Sequence, residues 1–408
     1  MPLGTLRIVD MTQALAGPFA TKLLADMGAQ VIKIEAATHP DLLRLWATST
    51  EPRAHERNPF FHAANTNKLS ISLMLDTALG REILLQLVGI SDVVIDNFSS
   101  RVMPQLGLSY DQLRGMKEDI IAISMPACGC DGPYKHYVGY GDAVEAIAGL
   151  TMLSGYRGGK AIKVGVSIAD YIAAFNAVIA ILAAALYRQR TGRGQFIDLS
   201  QFEACGRLIG EALVEYQFTG MQPSRRGNRH PIYAPQGCYM CAGDDGWVVI
   251  SVESDSQWEA LVKLMDAPDL GEDPSLKSAK GRQAAHDHIN EHIARWSHSQ
   301  DKYAVMQACQ AAGIPAGAVL KTSDLVRDSH LQARGFFEEV DHPVEGRQEL
   351  PGVSFKLNKT PAHLRTAAPV FGQHTDYVLR DLLGKSDAQI ASLHAQGIVG
   401  RPLEFDTV

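Results

Sequence analysis

The sequence predicts an α/β protein with a doubly wound parallel sheet and a second, smaller domain. Three observations lead there. Residues 6–35, LRIVDMTQALAGPFATKLLADMGAQVIKIE, read strand, helix, strand within one short stretch. The alternation of strands and helices then continues to about residue 200. At GMQPSRRGNRHPIYAPQG the composition changes to a Pro/Gly/Arg-rich linker, a boundary signal between structured segments.

Leu6 to Val9 are strand-like, Gly17 to Met27 carry helical apolar spacing, and Gly28 is placed to stop that helix. AQVIKIE is the second strand, ending in Glu35, so the three pieces form a right-handed βαβ unit. LSISLML, DVVIDNF and DIIAISM are further strands, and TALGREILLQLVGIS and YDQLRGMK are the intervening helices. Ligands of such sheets bind beyond the C-terminal strand ends. Those ends fall at MTQALAG, DNFSSR and MPACGCDGPY. The apolar run from Tyr171 to Leu186 carries Asn176 and is slightly short for a membrane span, so it reads as a buried core helix. TGRGQFIDLSQFEA adds a turn, a strand and a helix.

Beyond the linker, CYMCAGDDGWVVISVESDSQWEAL alternates apolar and polar residues around a DDG turn, as an antiparallel hairpin does. Residues 1–223 are read as the N-terminal part of the large domain, 224–328 as a small α+β domain, and 329–408 as a C-terminal part. The tail, HTDYVLRDLLGKSDAQIASLHAQGIV, reads as two amphipathic helices.

Composition narrows the function classes. Of 408 residues, 46% are apolar and 20% charged, the balance of a soluble globular protein. A net charge of −7 counts against nucleic acid or an anionic membrane as partner, since both need excess basic charge. MPLGTLRIVDMT lacks the basic and apolar regions of a signal peptide. The turn after the first strand has no GxGxxG, so Glu35 alone does not support NAD. The six cysteines offer one CxxC, Cys238 and Cys241, and the close pair Cys128 and Cys130. That spacing does not make a zinc site, and the thiols read as reduced residues of a cytoplasmic protein with no metal.

One carboxylate stands apart. Asp170 heads the long apolar run, and two roles compete for it. SIAD, Ser167 to Asp170, is an S-x-x-D capping pattern, and an acidic residue in a first turn suits the helix dipole. The other role is nucleophile.

The segments AGPFATKLLADMGAQVIKIE, ANTNKLSISLML, IDNF, GPY, TGRGQFIDLSQFEA, RGNRHPIYAPQG, DGWVVI, DSHLQARGFF and GQHTDYVLRDLLG together resemble family III CoA-transferases, in the same order and across nearly the whole chain. That family includes formyl-CoA, carnitine and benzylsuccinate CoA-transferases, and its superfamily includes α-methylacyl-CoA racemases. The resemblance implies a Rossmann-like large domain built from both chain ends, an inserted small domain, and two interlocked subunits. It implies that Asp170 is the carboxylate that becomes acylated, with acyl-CoA as substrate. It matches Ala16, Leu73, Asn97, Phe98 and Tyr140 to CoA-contacting positions. Family members commonly carry His and then Gln where this chain has Gln13 and Leu15, so Gln13 is the candidate contact to the reacting carbonyl. Leu15 hints at an acid bulkier than formate or oxalate, such as an alkyl- or arylsuccinate.

The phosphate contacts depart from the pattern. Ala36 and Gln105 stand where relatives often carry arginine, which leaves Arg101 as the candidate, with Lys68 and Arg44 as helpers. Two absent arginines open two readings: other contacts to CoA in a homodimer, or one half of a heteromer with a related subunit. A non-catalytic subunit is the alternative function. Racemisation needs an acid/base pair, and the G-H-D histidine of the racemases is replaced by Gly141 in VGYGDA.

Overall fold

The computed structural model describes residues 1–46, 51–400 and 403. Its main sheet has six parallel strands in the order 3-2-1-4-5-6. These are β1 (Arg7–Asp10), β2 (Gln30–Glu35), β3 (Lys68–Ser72), β4 (Val93–Asp96), β5 (Ile121–Ser124) and β6 (Phe196–Asp198). The central strands are runs such as Val93–Ile95 and Ile121–Ile123, buried on both faces as parallel strands require. β1 pairs with both β2 and β4. The winding reverses there, and a crevice opens beyond the C-terminal ends of β1 and β4.

The helices that shape the site are α1 (Ala16–Asp26), α2 (Leu42–Leu45), α3 (Ala78–Gly89), α4 (Gly141–Ile147), α5 (Ile168–Thr191) and α6 (Gly210–Thr219). One sheet face packs Val9, Ile32, Ile71 and Val94 against Ile83, Leu84 and Leu87 of α3, and is completed by Val378, Leu379, Ile390 and Leu393 from the C-terminal part. Both chain ends therefore build this core. The other face packs Ile8, Val31, Val93 and Ile123 against α1 and α5.

A stripe of Ala173, Ala174, Ala177, Ile181 and Ala184 faces that core. Gly192, at φ 71°, ends α5 in the left-handed conformation that glycine adopts freely. Apart from Ala169, which packs against Val144 and Cys205, only this stripe is buried, which corrects the expectation of a buried core helix: Phe175, Ile179, Leu186 and Tyr187 are exposed on other faces. Small side chains let α5 lie close to α1, and the larger apolar residues are left outside. By length and composition α5 is apolar enough to cross a membrane, yet its inner stripe belongs to the core.

The contacts divide the chain into two units. The first is Met1–Thr151, Lys163–Met221 and Gln332–Val408, and the second is Met152–Ile162 with Gln222–Leu331. The sequence reading gave 152–162 to the large domain; the structure gives this segment to the smaller unit, where Gly227 N–H donates to Gly155 O. Within that unit β7 (Gln236–Met240), β8 (Trp247–Ser251) and β9 (Ala316–Ala318) form an antiparallel sheet. Its hairpin pairs Gln236 with Ser251 and Met240 with Trp247. Val248, Ile250, Trp258, Leu261, Ile289 and Ile293 form its core. In the first unit β10 (Phe337–His342) and β11 (Gly346–Pro351) form a separate ribbon. Of the two tail helices expected, Asp387–Ala395 is an α-helix, while the other is a short turn, Thr375–Tyr377, running into a π-type turn, Val378–Leu382.

Candidate active site

The crevice beyond β1 and β4 holds a cavity of about 190 Å³. The turn after β1 brings Gln13, the turn after β4 brings Asn97 and Phe98, the segment before α4 brings Tyr140, and α5 brings Asp170. Five residues singled out in the sequence thus meet in one cleft. Leu42, Tyr137 and Gln201 complete much of its wall. Asn97 holds Gln13 by its backbone: its Oδ1 accepts from Gln13 N–H at 2.8 Å, and its Nδ2 donates to Gln13 O at 2.7 Å.

The surroundings of Asp170 bear on both of its expected roles. Ser167 is the N-cap of α5 by position, but its side chain makes no capping hydrogen bond. The first helical amide, Ile168 N–H, donates instead to Glu145 Oε1 on α4 at 3.0 Å. The capping-box expectation is therefore not met. The Asp170 carboxylate accepts from the backbone N–H of Ala16, the first residue of α1, and from its own N–H. It lies at the N-terminus of a neighbouring helix, at the cavity wall.

Space for it is made by Gly141. A Cβ there would stand 2.2 Å from Asp170 Oδ2 and 3.2 Å from Ser167 Cβ. Burial raises the Asp170 carboxyl to about 6, the Ala16 and own N–H bonds oppose that rise, and nearby Glu145 and Asp142 add to it. At neutral pH the group is mostly ionised and poorly solvated, which suits an oxygen nucleophile.

Other expected contacts are not brought together. Leu73 is fully buried in the core, its N–H donating to Glu35 O and its backbone bridged to Val399, so its side chain does not reach the cleft. Arg101 is exposed at the start of a short helix, outside the cavity wall. Lys68 and Arg44 are not solvated helpers. Lys68 is buried, pairs with Asp10 at 3.1 Å and donates to Pro18 O and Asn65 Oδ1. Arg44 is buried between Glu35 and Glu56, at 2.8 and 2.5 Å. Both cations are consumed by a buried ion network. Leu15 is the N-cap of α1 and is not part of the cavity wall.

Sequence reasoning missed Glu145, Gln201 and the steric role of Gly141. Glu145 and Gln201 carry no local signal. Gly141 did, as the residue standing where the racemases have histidine. Among the described residues no group of three or more His, Cys, Asp or Glu is arranged to hold a metal. All six cysteines are free thiols.

The model of the family described as CoA-transferase family III matches residues 3–375. The chain belongs to CoA-transferase family III. This transferase is 32% identical over 400 residues to the succinyl-CoA–D-citramalate CoA-transferase of Chloroflexus aurantiacus, covering 98% of each chain. It is 31% identical over 400 residues to the succinyl-CoA–L-malate CoA-transferase alpha subunit of Chloroflexus aurantiacus, covering 98% of this chain and 93% of that one. A crystal structure of a CAIB/BAIF family protein from Brucella suis superposes with a TM-score of 0.85 at 28% identity, covering 94% of this transferase and 99% of that chain. An acyl-CoA and a carboxylic acid are the substrates such an enzyme uses. In this transferase a histidine at position 141 would occupy the space of the Asp170 carboxylate.

Proposed function

We propose that the transferase moves CoA from succinyl-CoA to a short dicarboxylic acid by way of Asp170. The observation that carries this reading is the Asp170 carboxylate, held by the first amide of α1 as well as by its own N–H, beside the cavity. Asp170 attacks the thioester carbonyl, giving a mixed anhydride and CoA thiolate. The thiolate then attacks the aspartyl carbonyl, giving an aspartyl-CoA thioester and the free donor acid. The acceptor carboxylate repeats the exchange in reverse. Helix N-terminal amides stabilise the oxyanions, and Gln13 donates to the reacting carbonyl. Phe98, Tyr140, Asn97 and the Ala16 backbone flank the acyl-pantetheine, and Arg101 takes a phosphate.

The donor and acceptor class is supported by the acids in the names of both relatives. The case for a bulkier alkyl- or arylsuccinate rested on Leu15 and loses that support, since Leu15 does not line the cavity. Incubation with succinyl-CoA and hydroxylamine, followed by peptide mapping, tests the mechanism. Hydroxamate at Asp170, lost in Asp170→Asn, is expected; turnover without it contradicts the reading. The acid limb of kcat/KM should titrate near 6, with activity falling about tenfold per pH unit below it, because protonated Asp170 cannot attack. A limb near pH 4 would place the nucleophile elsewhere.

The partner we propose is a second copy or a related family III subunit, in the cytoplasm. α6 has no buried residue, and Leu213, Val214, Tyr216 and Phe218 on it are exposed. A helix of this length gains its stability from a covered apolar face. Light scattering should show an oligomer, and Leu213→Glu with Phe218→Glu should dissociate it. A monomeric, active wild-type protein would contradict this.

A further inference from the structure

Between β1 and α1 the chain turns through residues 11–15 with no glycine. Ala14 nevertheless sits at φ 60°, a left-handed conformation that a side chain disfavours. Side chains from other parts of the fold hold this turn. Thr12 N–H donates to Asp10 Oδ1 at 2.9 Å, and Thr12 O accepts from Lys33 Nζ at 2.8 Å. Asn97 holds both backbone groups of Gln13. Ala14 N–H donates to Asp41 Oδ1 at 3.1 Å.

Asp41 is itself fixed from several sides. It is fully buried, directly before α2. Its Oδ1 also accepts from Leu43 N–H at 2.9 Å, capping α2. Its Oδ2 pairs with buried Lys33 at 2.8 Å, and its own N–H donates to Glu35 Oε1 at 3.2 Å. Two residues beyond Ala14, the Ala16 N–H meets Asp170.

We infer that Asp41 is a positioning residue for the transfer reaction: it holds Ala14 in its left-handed turn and so aims the first amides of α1 at Asp170 and at the reacting carbonyl. This rests on Asp170 being the nucleophile. A purely structural role is the competing account, in which Asp41 only compensates the charge of buried Lys33.

Two double variants separate these accounts. Lys33→Met with Asp41→Asn removes both charges and keeps an oxygen for Ala14 N–H. Lys33→Met with Asp41→Leu removes both charges and the oxygen. Replacing a buried ion pair by neutral groups of similar size is generally tolerated. Glu145 and Asp142, the acidic groups facing Asp170 from the α4 side, are unchanged in both. Turnover is measured with succinyl-CoA and expressed per folded protein, taken from circular dichroism of the size-exclusion peak, so that unfolded protein is not counted.

Both variants lose the Lys33 bond to Thr12 O, so they are compared with each other: the Leu variant is expected to have a kcat about 10- to 100-fold below that of the Asn variant with KM nearly unchanged, the scale of a small misplacement of a reacting group. Its acid limb should also move to higher pH, because the Ala16 amide no longer stabilises the carboxylate. Equal kcat and equal acid limbs in the two variants would overturn the inference. Absence of hydroxamate at Asp170 of the wild-type enzyme would instead remove the Asp170 reading itself.

Discussion

Replacing Asp170 by Asn is expected to lower turnover by on the order of 10⁴-fold or more, as loss of a covalent nucleophile does. It should also make the protein more stable near pH 8. The folded carboxyl titrates near 6, against 3.8 for an unperturbed aspartate. The fold therefore favours the protonated form, and ionised Asp170 destabilises it. That cost is absent below the unfolded value, grows between 3.8 and about 6, and is complete above 6. Asn carries no charge and escapes it. The gain should be about 1–3 kcal/mol at alkaline pH, discounted for the partial exposure of the group, and should vanish as the pH falls toward 4. Denaturant unfolding of both proteins at two pH values checks this. A variant that is inactive and less stable at both values would mean that Asp170 is a structural cap after all.

Gly141→Ala should lower kcat by about 100-fold, the cost of displacing a reacting group by roughly an ångström. The added Cβ would stand 2.2 Å from Asp170 Oδ2, inside any permitted contact, so the carboxylate must swing away from Ala16 N–H. The backbone gives no reason for global damage. Gly141 is not among the residues with positive φ, and it opens α4, where alanine is the better helix former by about 1 kcal/mol. The expected signature is thus an unchanged or raised melting temperature with a large loss of kcat. Gly141→His should be at least as damaging. Wild-type kcat in Gly141→Ala would show that Asp170 reacts from another position.

The β1–α1–β2 unit was readable because its strands are short β-branched runs and its helix ends at Gly28, which takes φ 107°. The residues after β1 and β4 were readable as a ligand edge, and Gln13, Asn97 and Phe98 do line one cleft. Asp170 was legible as an outlier but not as a choice. The alternatives differ in the amide that the Asp170 carboxylate accepts from, Ser167 N–H in a capping box and Ala16 N–H in the structure, and Ala16 opens another helix. The burial of Leu73 was not legible because its cover, Val399, comes from the far end of the chain. Lys68 and Arg44 looked like surface cations because their partners Asp10, Glu35 and Glu56 are separate in sequence and converge only in the fold. The segment 152–162 leaves its sequence neighbours for the smaller unit; its three glycines mark a loop but not the unit that takes it.

The central claim is that an oxygen of Asp170 takes part in the bond exchange. An acceptor acid labelled with oxygen-18 in its carboxylate tests it most directly. In the proposed cycle the acceptor oxygen that bridges the second anhydride stays on Asp170 when CoA leaves with the new acyl group. Mass analysis of the peptide containing Asp170 after turnover in unlabelled water should then show oxygen-18 in that side chain, and continued turnover should pass it to the released succinate. Turnover that leaves the Asp170 peptide unlabelled would contradict the account.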